Sequence, residues 1–303
     1  MDGIRLTQEV LDCIDTDTVS NLYANQRRIY ECLDQAAAMY CRETKVLHGS
    51  VDITTVLGQQ VYDLPPDFIA LYLKDRRAQY FIKYSHGGDF SWPVIDSYES
   101  IFLANLTDNQ DWPNRFAIID KPASSALING AATAPGALVG GQCVLSDSAK
   151  LFLTTNKVYP RDIIHNITDA SSGYVLSVSA ETQLVAALFG ASGSGCDWTL
   201  ADAYVIQPAA VKSLVLDAPS ANNGDTITVP YVCMPNPVYS DYGFWRFPSR
   251  VCKAIAYGAA SIFKTGKKEY SDAGQIGGFF ASEIKLTRSE IARQALYESR
   301  RRQ

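Results

Sequence analysis

The side chains able to do chemistry are few and scattered. There are three His, at positions 48, 86 and 165, and seven Cys, at 13, 32, 41, 143, 196, 233 and 252. No two Cys form a C-x-x-C pair, so neither a zinc ribbon nor a thioredoxin-like dithiol is written here. An odd set of dispersed thiols fits reduced, buried residues of a protein made in the cytoplasm. His165 stands in the β-like run Ile163-Ile164-His165-Asn166, where a lone imidazole reads as structural. Gly266-Lys267 lacks the upstream Gly and the following Ser/Thr of a phosphate-binding loop, and no H-E-x-x-H or G-x-S-x-G occurs. Asp96 and Glu99 read as a helix start, where carboxylates favour the positive dipole end, rather than as an acid–base pair. Asp108 and Asp111 border a loop without the Gly and downstream Glu of a calcium site. The expectation is a non-enzymatic protein with no metal and no cofactor.

Binding chemistry is better represented. Phe244-Trp245-Arg246-Phe247-Pro248 is the densest aromatic cluster in the chain. Phe244, Trp245 and Phe247 are candidate anchors, either in the core where the C-terminal helix enters or at an interface. The chain ends on Arg300, Arg301, Arg302 and Gln303, either a frayed, solvated end or a basic arm suited to an acidic groove. From Tyr239 onward there are 12 basic and 6 acidic residues, against 15 and 26 before it. A net of −5 over the whole chain therefore hides a basic C-terminal region and an acidic body, and the chain as a whole is no basic nucleic-acid binder.

These features must be placed by 303 residues, 47% of them hydrophobic and 19% charged, a globular composition with room for about two domains. No stretch of 18 apolar residues argues for a membrane span, and MDGIRLTQEVLD does not read as a secretory signal. Helical spacing predicts a short helix from Thr7, as its cap, to Ile14. It predicts a second helix over 18–46, capped by Asp17 and ended by His48-Gly49. Strand patterns follow at 51–54, 60–64, 69–73, 79–84 and 115–119, with turns at Gly58 and His86-Gly87-Gly88-Asp89 and a short helix over 97–106. Residues 122–209 carry 3 basic and 6 acidic side chains, with β-like runs at 150–154, 162–168, 173–179, 182–189 and 203–206. GASGSG at 190–195 reads as a loop. Strands return at 214–216 and 226–233. Helices follow from Ser249 to Gly266 and over about 269–298, the latter with a break expected near Gly274, Gly277 and Gly278.

Three segments, in order, carry a family resemblance. Gly58-Gln59-Gln60-Val61-Tyr62-Asp63-Leu64-Pro65-Pro66-Asp67-Phe68 resembles the G-Q-x-x-Y-x-L-P-x-D-F segment of tailed-bacteriophage head-to-tail adaptor (neck connector) proteins. Asp225-Thr226-Ile227-Thr228-Val229-Pro230-Tyr231-Val232 with Pro235-Asn236-Pro237 resembles that family's D-T-I-x-V-x-Y…P-x-P strand. Pro248-Ser249…Ala256-Tyr257-Gly258-Ala259-Ala260 resembles the helix that follows the sheet. Between them, Asp162-Ile163-Ile164-His165-Asn166-Ile167-Thr168-Asp169, Gly173-Tyr174-Val175 and Asp202-Ala203-Tyr204-Val205-Ile206 are similar to a small β-module of phage virion proteins. Those modules carry Gly-Asp where this chain has Arg161-Asp162 and Ala201-Asp202, so the two turns are where it departs.

The resemblance implies an α+β fold. A bundle of N- and C-terminal helices would carry a β-sandwich-like region with a small all-β domain inserted. The divisions expected are helices over 1–48, a β-rich core over 49–136 and 209–238, the module over 137–208, and C-terminal helices with a docking tail over 239–303. It implies a structural protein of the virion neck, synthesised in the host cytoplasm. Twelve copies would form a ring between the portal ring and a tail or nozzle protein. DNA would pass through without sequence-specific binding, and no membrane is involved. Arg300–Gln303 would then enter crevices between portal subunits. An acidic channel lining would let DNA slide without being gripped through its phosphates. Two other placements in the virion are a tail-tube component and a gatekeeper. A separate alternative is a host-surface or glycan-binding module built on Tyr159, Tyr174, Trp198 and Tyr204. A wall-degrading enzyme is the third, and it lacks an acid/nucleophile pair.

Overall fold

Helices occupy the two ends of the chain and strands its middle. The computed structural model describes residues 1–14, 22–72, 82–104, 112–121, 127–190, 195–209, 211–245 and 247–301. First come α1 (Gly3–Ile14), α2 (Leu22–Thr44), β1 (His48–Thr54), β2 (Val61–Asp63), β3 (Phe68–Leu71), β4 (Lys83–His86) and β5 (Asp89–Ser91). Then follow β6 (Val94–Ile95), α3 (Tyr98–Ala104), β7 (Arg115–Lys121), β8 (Ile128–Ala131), β9 (Cys143–Ser146) and β10 (Ile163–Asn166). The rest are β11 (Ser171–Ala180), β12 (Gln183–Phe189), β13 (Ala203–Gln207), β14 (Val211–Leu216), β15 (Thr226–Cys233), α4 (Ser249–Gly266) and α5 (Tyr270–Arg301). The chain is thus α+β, and no described helix is long and apolar enough to cross a membrane.

It divides into two units. One comprises 1–44, 124–209 and 235–303, the other 45–123 and 210–234.

In the first unit α1, α2, α4 and α5 pack against one another. Leu6, Val10 and Ile14 recur on one face of α1 and are buried, as amphipathic spacing requires. The helix starts earlier than Thr7, because the Asp2 carboxylate accepts the Arg5 N–H at 2.9 Å and so caps it from outside. α2 ends before His48-Gly49: the chain leaves the helix at Lys45, in the left-handed region (φ 53), and His48 is already paired with Val232. The expected cap Asp17 lies outside the described residues. α5 is continuous through Gly274, Gly277 and Gly278, contrary to the expected break. At Gly277 close approach to α4 explains the contrast, whereas a Cβ on Gly274 or Gly278 would meet nothing within 4 Å. A Cβ on Gly277 would lie 2.9 Å from Ser261 Oγ, and one on Gly258 would lie 3.0 Å from the Phe280 ring.

The same unit holds a six-stranded antiparallel sheet in the order β8-β13-β10-β11-β12-β9. It begins at Ile128, ahead of the module boundary expected at 137. Its core includes Leu145, Phe152, Ile164, Leu184, Trp198 and Tyr204. The expected strand at 150–154 is instead a turn: the Glu181 carbonyl takes the Phe152 N–H, and its carboxylate takes those of Leu153 and Thr154. The short strands β8 and β9 carry no such alternation in sequence and are additions to the expected set.

The second unit has two sheets over a shared core of Tyr62, Leu64, Tyr84, Phe116, Leu214 and Ile227, among others. One runs β1-β15-β4-β5, with β3 also on β15, and the other runs β2-β14-β7-β6. The β4–β5 hairpin turns on Gly87 and Gly88, both at positive φ.

Candidate interaction surfaces

The aromatic cluster before α4 is split between core and surface. Trp245 is buried and its indole N–H donates to the Asn236 carbonyl at 3.0 Å. Phe247 sits edge-on to Trp245 and to Tyr40 of α2, with centroids 6.3 and 6.1 Å apart. Phe244 is exposed, and its backbone bridges to Asp2. Trp245 and Phe247 therefore fasten the entry of α4, while Phe244 is exposed. Arg246 lies outside the described residues.

The basic end of the chain extends along α5. The helix buries Ala273, Phe280, Glu283 and Thr287, while residues 288–293 are exposed or half-buried. Its backbone stays helical to Arg301, about 20 Å past Thr287 at the usual rise per residue. Arg250 of α4 holds this stretch through Glu283 at 2.8 Å and Glu290 at 3.0 Å, and Arg288 meets Glu43 of α2 at 3.5 Å. Arg300 and Arg301 lie on the helix, and Arg302 and Gln303 lie outside the described residues.

Sequence reasoning missed a polar seam in the first unit. Arg27, Glu31 and Asp34 follow at i, i+4 and i+7 on α2, and that spacing was the available signal. Arg27 donates to Ser172 at 2.8 Å, and the Tyr174 hydroxyl donates to Glu31 at 2.5 Å. The Arg161 guanidinium forks onto Asp34 at 3.0 and 3.1 Å and also donates to the Pro235 carbonyl at 2.6 Å. Tyr174 stacks on Tyr239 at 4.3 Å. Burial raises the pKa of both phenols, so they remain donors at neutral pH.

Both departures from the Gly-Asp pattern keep a left-handed turn without glycine, with Arg161 at φ 78 and Ala201 at φ 71. The aspartates behind them are structural. Asp162 accepts the N–H groups of Tyr159 and Ala209, and burial pushes it up to about 6. Asp202 accepts the Thr199 N–H and hydroxyl, both at 2.7 Å, and the Asn166 amide. Burial opposes ionisation there, but these hydrogen bonds prevail and hold Asp202 below the ordinary carboxylate range. Of the four aromatics behind the glycan-binding alternative, Trp198 and Tyr204 are buried in the sheet core and Tyr174 is in the seam. Tyr159 alone of the four is exposed, so they form no stacking platform.

The remaining candidates resolve as structure. Asp96 takes the Ser100 hydroxyl and the Ser97 N–H, and with Arg115 these bonds lower its pKa. It is thereby engaged at the start of α3 and is not paired with Glu99. His165 is half-buried in mid-strand on β10. Asp108 and Asp111 lie outside the described residues. No three metal-ligating groups converge among the described residues. In the second unit Asp225 accepts the Tyr84 hydroxyl at 2.7 Å and contacts His86 Nδ1 at 2.8 Å, joining β4 to the start of β15. Asp67 accepts the Tyr231 hydroxyl at 3.1 Å, and Tyr62 donates to the Gln59 carbonyl at 2.9 Å. Polar residues of segments 58–68 and 225–232 are thus fasteners of one β-core.

No family model matches the chain, and no curated protein matches it.

Proposed function

We propose that the chain is a structural protein of a tailed-phage virion, an adaptor whose copies form a ring between portal and tail and line the DNA channel. In this reading α1, α2, α4 and α5 are the helical bundle of the fold, and the two-sheet unit is its β-sandwich-like region. The observation that carries it is α5. A helix that makes its last described burial at Thr287 continues to Arg301, within the basic C-terminal region of an otherwise acidic chain. An end of this composition is suited to an acidic crevice on another protein. Arg300–Gln303 would occupy that crevice, and the acidic body would leave DNA ungripped.

The polar side chains point the same way. Asp96, the candidate acid of the Asp96/Glu99 pair, is spent on the start of α3 and on Arg115, which favours assembly over turnover. Co-sedimentation of the full chain with the portal ring of the same virion tests the reading. Saturable binding at a ring stoichiometry is expected, and an unliganded portal at saturating chain would overturn it.

A further inference from the structure

The second unit exposes apolar side chains at both edges of one sheet. In the order β2-β14-β7-β6, strands β6 and β2 are outermost. At the β6 edge Val94 and Ile95 are exposed. The flanking Phe90, Trp92, Tyr98 and Phe102 are exposed as well, Phe90 by 58% and Phe102 by 69%. Phe90 and Trp92 rings lie 6.0 Å apart, and Tyr98 and Phe102 rings 6.2 Å apart. At the β2 edge Val56, Leu57 and Val61 are exposed.

The backbone agrees. Val94 and Asp96 donate inward to Asn114 and Phe116, so by alternation the Ile95 amide and carbonyl face outward from the sheet. Gln60 and Leu64 bond to β14, which directs the Val61 and Asp63 backbone outward. The Gln59 side-chain amide covers the Val61 carbonyl at 2.7 Å, so the contact on offer is mainly one of side chains.

The chain itself supplies the match for each edge. Residues 56–61 carry no charge, and 90–102 carry Asp96, paired with Arg115, and Glu99, with Lys83 over the Phe90 ring at 4.8 Å. Neither edge has the positive excess that attracts nucleic acid, and the exposed apolar side chains of each suit the other. β2 and β7 are both antiparallel to β14, and β6 is parallel to β7, so β2 and β6 run in the same direction. A neighbour's β2 set beside β6 would therefore keep every copy in the same orientation, a head-to-tail contact that closes into a ring when the rotation per copy permits. The aromatic edge offers roughly 600 Å² at the usual size of such side chains. The three aliphatics opposite offer less, so the total falls below the roughly 1,200–2,000 Å² of stable pairs.

We propose that the β6–α3 edge of one copy docks on the β2 edge of the next, a contact too small to persist alone and reinforced when copies are held side by side. The contact deepens the adaptor reading, on which only closure into a portal-bound ring rests.

Thiol cross-linking of the full chain at high concentration tests it, using a short bis-maleimide and Val61→Cys, Ile95→Cys and the double variant. The expected results are a ladder of multimers from the double variant, a dimer from the two single variants mixed, and no adduct above wild type from either alone. A dimer from Ile95→Cys alone, or no ladder from the double variant, overturns the contact. Phe102→Asp, with unchanged circular dichroism, is expected to weaken self-association at least tenfold by sedimentation velocity; unchanged association overturns it. Portal rings that fill with chain yet give no Val61–Ile95 adduct sink this contact and leave the adaptor standing. A ladder without portal binding does the reverse.

Discussion

Arg161 and Ala201 hold the same backbone conformation, and replacing each by glycine should have opposite effects. A left-handed φ costs an L-residue roughly 1–2 kcal/mol, which glycine avoids. Glycine in turn adds about 0.5–1 kcal/mol of unfolded-chain entropy to be lost. Ala201 is exposed at φ 71 and its N–H bonds to the Ala132 carbonyl, a bond glycine retains. Ala201→Gly should therefore stabilise by about 0.5–1 kcal/mol. Arg161, at φ 78, has the same relief available but holds Asp34 and the Pro235 carbonyl, with both charged side chains only 12% exposed. Removing one partner of a buried ion pair costs about 3–5 kcal/mol, so Arg161→Gly should destabilise by about 2–4 kcal/mol net. Urea unfolding followed by circular dichroism reads both. A destabilised Ala201→Gly or a neutral Arg161→Gly would refute the reasoning, the first on backbone strain and the second on the seam.

Three further outcomes follow from the packing. Asp162, raised to about 6, binds more protons folded than unfolded between about pH 4 and 6, so its contribution to stability falls as pH rises through that window. Asp162→Asn should flatten that slope in denaturation series, and an unchanged slope would contradict the assignment. Tyr204→Phe removes the hydroxyl that donates to the buried Asp147 at 2.7 Å and should cost about 1–3 kcal/mol by the same unfolding measurement. Gly258→Val should cost about 1–3 kcal/mol by forcing the Phe280 ring aside, readable as a lowered melting temperature.

The sequence disclosed elements where periodicity was strong and concealed them where tertiary contacts decided. The Leu6, Val10, Ile14 stripe and the alternation through β10 to β13 were legible because each face is buried on one side. The strands β8 and β9 were not, since Asn129-Gly130 and the unbroken Cys143-Val144-Leu145 show no apolar–polar alternation. The start of α1 was misplaced because Asp2, a stronger cap than Thr7, lies outside the apolar stripe. The break expected in α5 failed because glycine content alone does not separate a weak helix from a close helix–helix approach. The candidate surfaces were half legible. The basic tail and the aromatic cluster stand out in composition, but the burial of Trp245 beside an exposed Phe244 depends on packing. The seam joins Asp34 to Arg161 across 127 positions, and no local pattern reports such a pairing. The exposure of Phe90 to Phe102 was hidden for the opposite reason, since an apolar run reads as core until its neighbours are known.

Native mass spectrometry of the chain mixed with its portal ring, full length against a form ending at Tyr297, tests the central claim most directly. The chain is expected to be monomeric at low concentration and to load the portal to a ring stoichiometry, with occupancy falling when Glu298–Gln303 are removed. A portal that stays empty at saturating full-length chain, or a shortened chain that loads it equally well, would contradict it.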